Sequence, residues 1–124
     1  MDLLLVLTDP DAPLGRQLID ELQAAHFLTM AAITCEKACG LAAVLVPLAV
    51  VIDLDHDEAG GLKLLEERKT LRALKQIPVL VLSERPQRDL GPGVTSLLRP
   101  GDRRQLISTL RTLCVRRGRV PMAS

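Results

Sequence analysis

Four short, mostly apolar runs in this sequence each end in a residue with chemistry to offer. Leu3–Leu7 leads into Thr8 and Asp9. Leu48–Ile52 leads into Asp53, with Asp55 two residues on; Val79–Leu82 leads into Ser83, and Val94–Leu98 into Arg99. Paired carboxylates with neighbouring backbone carbonyls suit a hard divalent ion such as Mg2+, which takes oxygen ligands and keeps several waters. A hydroxyl and a fixed cation opposite them suit a phosphoryl group carrying negative charge. Polar residues must end buried strands somewhere, but four compatible chemistries at four ends point to a shared site.

Such a site needs a scaffold that gathers the four ends. Leu3–Leu7 reads as a strand buried on both faces, Leu28–Ile33 as a weaker strand candidate, Leu48–Asp53 as another wholly apolar strand ending in a carboxylate, and Val79–Leu82 and Val94–Leu98 as the fourth and fifth strands. Between them lie helical patterns. Asp11 is placed to cap a helix over Leu14–Ala25, with Leu14, Leu18, Leu22 and Ala25 inward and His26 at its end. Cys35–Leu45 reads as an alanine-rich helix. Gly60 and Gly61 open a turn into a helix from about Leu62 to Gln76, and Asp102 caps a last helix to about Arg117, with Leu106, Leu110 and Leu113 inward. Pro86, Gly91, Pro92 and Gly93 leave room for at most one turn of helix in Glu84–Gly93. Strands alternating with helices predict a flavodoxin-like, doubly wound α/β sandwich with strand order 2-1-3-4-5 and a fourth helix shortened or missing. In that fold the ligand site lies beyond the carboxyl ends of the strands.

Composition narrows the function. The 124 residues suit one domain, expected over 1–119 with a tail or linker start at 120–124. Apolar residues make up 48%, yet Phe27 is the only aromatic, which argues against modules that stack bases or sugars on aromatic platforms. Residues 1–62 carry two basic residues against ten acids, and 63–124 carry fourteen against five. Either both surfaces simply keep the fold soluble, or the first half supplies an acidic site and the second a basic contact surface. The start lacks the pattern of an export signal, and no apolar run reaches membrane-spanning length, so a cytoplasmic protein without membrane contact is expected. Cys35, Cys39 and Cys114 are read as ordinary small residues of a reducing compartment.

These features resemble the receiver domain of bacterial response regulators (the CheY-like fold) over nearly the whole chain. Val50-Val51-Ile52-Asp53 followed by Gly61 matches the family's phosphoacceptor strand and its glycine. Asp9 matches one Mg2+-binding acid, Ser83 the hydroxyl residue that moves toward the phosphoryl group, and Pro100 the proline after the family's lysine. The resemblance implies a two-component signalling module rather than an enzyme. It implies that Asp53 takes phosphate from a histidine kinase, with Mg2+ held by Asp9, Asp53 and the backbone carbonyl of Asp55, and with Ser83 and Arg99 attending. It also implies a signalling-protein partner, an output domain fused in a longer chain, or a homodimer.

Departures from the pattern are as informative. Thr8 replaces an acid and removes a formal charge from a hard-cation site. Arg99 replaces the lysine, and a guanidinium fork is not interchangeable with an ammonium; it is expected to pair with Asp53 and hold the site in one state. Glu84 replaces a small residue and brings a carboxylate close to where phosphate would sit. Ser96 replaces the aromatic that reports phosphorylation, and the Ser83-to-Arg99 interval is short. Together they point to an atypical receiver working by protein contact, with Asp53 phosphorylation and Mg2+ binding weakened or lost. A conventional Mg2+-dependent phosphoacceptor is the first alternative. Nucleic-acid association through the basic second half, whose densest charge is Arg111, Arg116, Arg117 and Arg119, is the last, a poor fit for a domain without a recognition motif. Asp53–Asp57 imitates a calcium loop, but Glu58 and Leu64 stand where its glycine and bidentate glutamate belong. His56 reads as an exposed loop histidine.

Overall fold

The computed structural model describes residues 2–99 and 101–118. Pro100, Arg119 and the 120–124 tail therefore lie outside the described residues, as do the side chains of Arg116 and Arg117. The elements run β1 (Leu3–Leu7), α1 (Pro13–Ala24), β2 (Leu28–Ala32), α2 (Cys35–Leu45), β3 (Ala49–Asp53), α3 (Glu58–Arg68), β4 (Val79–Ser83), β5 (Val94–Leu98) and α4 (Arg103–Gly118). All strand pairings are parallel, in the order β2-β1-β3-β4-β5 expected from the sequence.

The apolar runs are unbroken because alternate side chains feed two separate cores. Leu4, Val6, Val51, Leu80 and Leu82 meet α1 and α4 through Leu18, Leu22 and Leu110 on one face. Leu5, Leu7, Val50, Ile52 and Val81 meet α2, α3 and the 69–77 segment on the other, through Ala38, Leu64, Leu74 and Ile77. Phe27 is buried in the first core.

Local expectations change in helices α1 and α3. Helix α1 begins at Pro13, with Ala12 as an N-cap that makes no side-chain bond; Asp11 does not cap it. Proline's fixed φ suits the first helical position, and the Asp11 amide is already bonded to Asp9 Oδ1 at 2.9 Å. The buried stripe becomes Gly15, Leu18, Ile19 and Leu22, which turns Leu14 outward at 54% exposure. His26 lies beyond the helix, exposed and in the left-handed region at φ 70°.

Helix α3 starts four residues before Leu62, because Asp57 Oδ1 accepts the Gly60 amide at 3.0 Å and caps it. It stops at Arg68 rather than continuing to Gln76. There the Lys69 and Thr70 amides turn back three residues, and the Thr70 hydroxyl donates to the Glu67 carbonyl at 3.3 Å, which tightens and ends the helix. Leu74 and Ile77 still reach the core from the turns that follow.

Between β4 and β5 the described residues contain no helix. Asp89, Gly91 and Gly93 all have positive φ, which a right-handed helix cannot accommodate. The segment instead crosses as an extended strap, with Leu90 packed against the second core. Arg68 secures it, donating from Nε to the Ile77 carbonyl at 2.9 Å and from Nη1 to the Pro92 carbonyl at 3.1 Å. No helix among the described residues is long and apolar enough to cross a membrane.

Candidate functional site at the carboxyl edge of the sheet

Because β1, β3 and β4 are adjacent, Thr8, Asp53 and Ser83 emerge side by side at one edge of the sheet, with β5 delivering Arg99 next to them. All three of Thr8, Asp53 and Ser83 are buried, Asp53 at 2% exposure. A carboxylate that deep must have its charge answered.

It is answered completely. Arg99 Nη1 lies 2.7 Å from Asp53 Oδ1, within a side chain only 17% exposed. The same oxygen accepts the Asp55 amide at 3.1 Å and the His56 amide at 3.3 Å. Oδ2 accepts the Thr8 hydroxyl at 2.8 Å. Arg99 is held in place by its own amide, which donates to the Ser83 carbonyl at 2.9 Å, and its guanidinium also approaches Asp55 Oδ2 at 3.6 Å. Asp55 Oδ1 in turn accepts the Glu84 amide at 3.0 Å. Among the described residues no buried side-chain polar atom lacks a partner.

The other expected residues stand near this cluster without joining it. Asp9 Oδ1 accepts the Asp11 amide at 2.9 Å in its own loop, and no hydrogen bond among the described residues links Asp9 to Asp53. Ser83 Oγ accepts the Arg85 amide at 3.1 Å and Gln87 Nε2 at 3.3 Å. Glu84 lines a groove of about 290 Å3 between α1, the end of β5 and the start of α4, with Leu14, Leu18, Leu97 and Leu106. His56 is half-buried rather than an exposed loop residue, its Nε2 bonded to the Ile33 carbonyl at 2.9 Å. Ser96 is exposed, its hydroxyl within 3.5 Å of the Gln87 carbonyl it donates to. Gly15 positions the floor of the site: a Cβ there would run into the Asp9 carbonyl and crowd Thr8 Oγ1.

Two contributions escaped the sequence reading. Thr8 was legible as a missing acid, but not as the donor that occupies Asp53 Oδ2. Gln87 gave no signal, since its hold on Ser83 depends on the path of the strap.

The donors around Asp53 are a guanidinium, a hydroxyl and two backbone amides. A hard cation takes several oxygen ligands; here both Asp53 oxygens accept hydrogen bonds, and Arg99 stands beside Oδ1. Among the described residues no three His, Cys, Asp or Glu side chains are disposed to hold a metal. Away from the site, Arg103, Arg104 and Arg111 are exposed on α4, and Arg111 Nη2 reaches the Ala25 carbonyl at 3.4 Å beyond the end of α1.

No family model matches this sequence, and no curated protein does. Solved structures do match. The signal receiver domain of a histidine kinase from Syntrophus aciditrophicus superposes with a TM-score of 0.81 at 18% identity, covering 98% of this chain and 96% of that one. A response regulator from Chloroflexus aurantiacus gives 0.77 at 21% identity, over 93% and 98% of the two chains. The receiver domain of a Pseudomonas aeruginosa sensor histidine kinase, with a magnesium ion coordinated in its active-site cleft, gives 0.76 at 16% identity over 91% and 97%. At these identities the likeness establishes the fold: the chain folds as response-regulator receiver domains do.

Proposed function

We propose that the chain is an atypical receiver module of two-component signalling, acting by protein contact, with phosphate acceptance at Asp53 weakened or lost. The observation that carries this reading is the 2.7 Å contact between Arg99 and Asp53. A phosphoacceptor carboxylate needs a free oxygen to attack phosphorus, and an accompanying divalent ion to offset the charge that builds up. Here an internal cation stands against one oxygen and the Thr8 hydroxyl against the other. A buried guanidinium is permanently charged and would oppose entry of a second cation. The signal such a module passes on is then its fixed shape, read by a histidine kinase, another signalling protein or a fused output domain.

Incubation with Mg2+ and a small phosphodonor, followed by intact-mass measurement, tests the reading. The expected outcome is an unmodified chain, or a trace adduct at most. A near-stoichiometric gain of one phosphoryl group that disappears in Asp53→Asn overturns it in favour of a conventional phosphoacceptor.

A further inference from the structure

Cys35 and Cys39 stand four residues apart on α2, the spacing that sets two side chains one above the other on a helix face. Both turn toward the second core. Cys35 is buried within it at 6% exposure, and Cys39 packs against it half-buried. The two thiols lie within hydrogen-bonding reach of each other. Lys63 of α3 brings a positive charge to the pair, and it also meets Glu36 at 3.8 Å across the seam between α2 and α3.

Helix geometry keeps such a pair from closing into a disulfide. Residues four apart on a helix hold their Cβ atoms about 5–6 Å apart, whereas a disulfide draws them to roughly 3.5–4.5 Å. A bridging ion suits the wider gap, since two thiolates on a two-coordinate metal sit roughly 4–5 Å apart, twice a metal–thiolate bond. The number of ligands then selects the ion. Zinc takes four, and hard cations take oxygens. Among the described residues no third His, Cys, Asp or Glu is disposed to join the two thiols in holding a metal. What fits is a soft ion content with two sulfurs, and thiolates select Cu(I).

We propose that Cys35 and Cys39 bind one Cu(I) ion between their sulfurs as a two-coordinate bis-thiolate. Two Cu–S bonds form, the two thiol protons pass to solvent, and copper keeps its oxidation state. The complex is singly negative, and Lys63 offsets that charge from α3. Half-buried Cys39 is the way in, and Cys35 completes the pair from the core side. Burial holds both thiols in their protonated form at neutral pH, so the ion displaces protons as it binds. Cys114 takes no part, because it lies in the other core, across the sheet.

Anaerobic competition between the full chain and a chromophoric Cu(I) chelator tests this, alongside Cys35→Ala, Cys39→Ala and Cys114→Ala. The wild type and Cys114→Ala are expected to withdraw one Cu(I) per chain. They should also gain the ultraviolet charge-transfer band of Cu(I)–thiolate, where a chain without Trp or Tyr absorbs little of its own. Cys35→Ala and Cys39→Ala are expected to lose both uptake and band, with far-ultraviolet dichroism unchanged. Alanine is the best helix former for these positions, and if one of the two fails to fold, the other decides. A wild type that leaves the chelator loaded overturns the proposal. So does uptake that survives in folded Cys39→Ala, or a stoichiometry of one ion per two chains, which would mean a bridge between copies. The measurement uses neither Mg2+ nor phosphodonor, so its failure is distinct from failure of the phosphate reading.

Discussion

Arg99 is where a single side chain decides the chemistry. Its guanidinium brings full charge to an aspartate that is 2% exposed, and Thr8 completes the set of donors. Removing one member of a buried ion pair leaves the other uncompensated, so Arg99→Ala should destabilise the fold by about 3 kcal/mol in chemical denaturation. A change within a few tenths of a kcal/mol would mean that the pair is not formed in solution. The converse experiment restores the residue types the site lacks. Thr8→Asp with Arg99→Lys supplies a second acid and exchanges a rigid fork for a flexible ammonium. That double variant is expected to gain Mg2+ binding measurable by titration calorimetry, where the wild type shows little. An equally inert double variant would place the obstacle elsewhere in the site.

At the scale of elements, the strap between β4 and β5 is the main departure from an alternating sandwich. The turn residues made its lack of a helix legible in the sequence. What holds it was not legible, because Arg68 lies far away in sequence, at the end of α3. Its two bonds, to the carbonyls of Ile77 and Pro92, tie the helix end, the 69–77 turns and the strap together. Burial lowers the Arg68 pKa below the usual guanidinium value. Hydrogen bonds from a charged donor contribute roughly 1.5–3 kcal/mol, so Arg68→Ala should lower stability by about 2 kcal/mol. It should also raise hydrogen exchange across residues 84–93 more than in β1; uniform loss of protection would show that Arg68 serves the whole core instead. Helix boundaries were the other uncertain feature. Periodicity continued past Arg68 through Leu71 and Leu74, while the Thr70 hydroxyl and local turn bonds ended the helix.

For the whole molecule, the two cores on opposite faces of the sheet each hold a buried thiol, Cys35 in one and Cys114 in the other. Burial pushes both up to about 11, with Cys39 adding to the effect at Cys35. A raised pKa in the folded state means that the native chain keeps protons the unfolded chain loses. Stability should therefore be unaffected by these thiols below the ordinary value of 9.0 and fall as pH climbs from there toward 11. Denaturation midpoints at pH 8 and pH 10 check the sign, and a rise would contradict the burial of both groups. The sequence by itself pointed to the layers, since continuous apolar runs need a sheet covered on both sides, and its alternation of strands with helices pointed to the observed strand order. It also named the residues at the strand ends, because each run stops where its polarity changes. Only the tertiary structure decided what those residues do to one another. Whether Asp9 or Arg99 meets Asp53, and whether Thr8 donates or stands aside, depends on ångström-scale approach between segments some 45 residues apart, and hydrogen bonds and ion pairs fall away over such distances while a hydrophobic pattern does not.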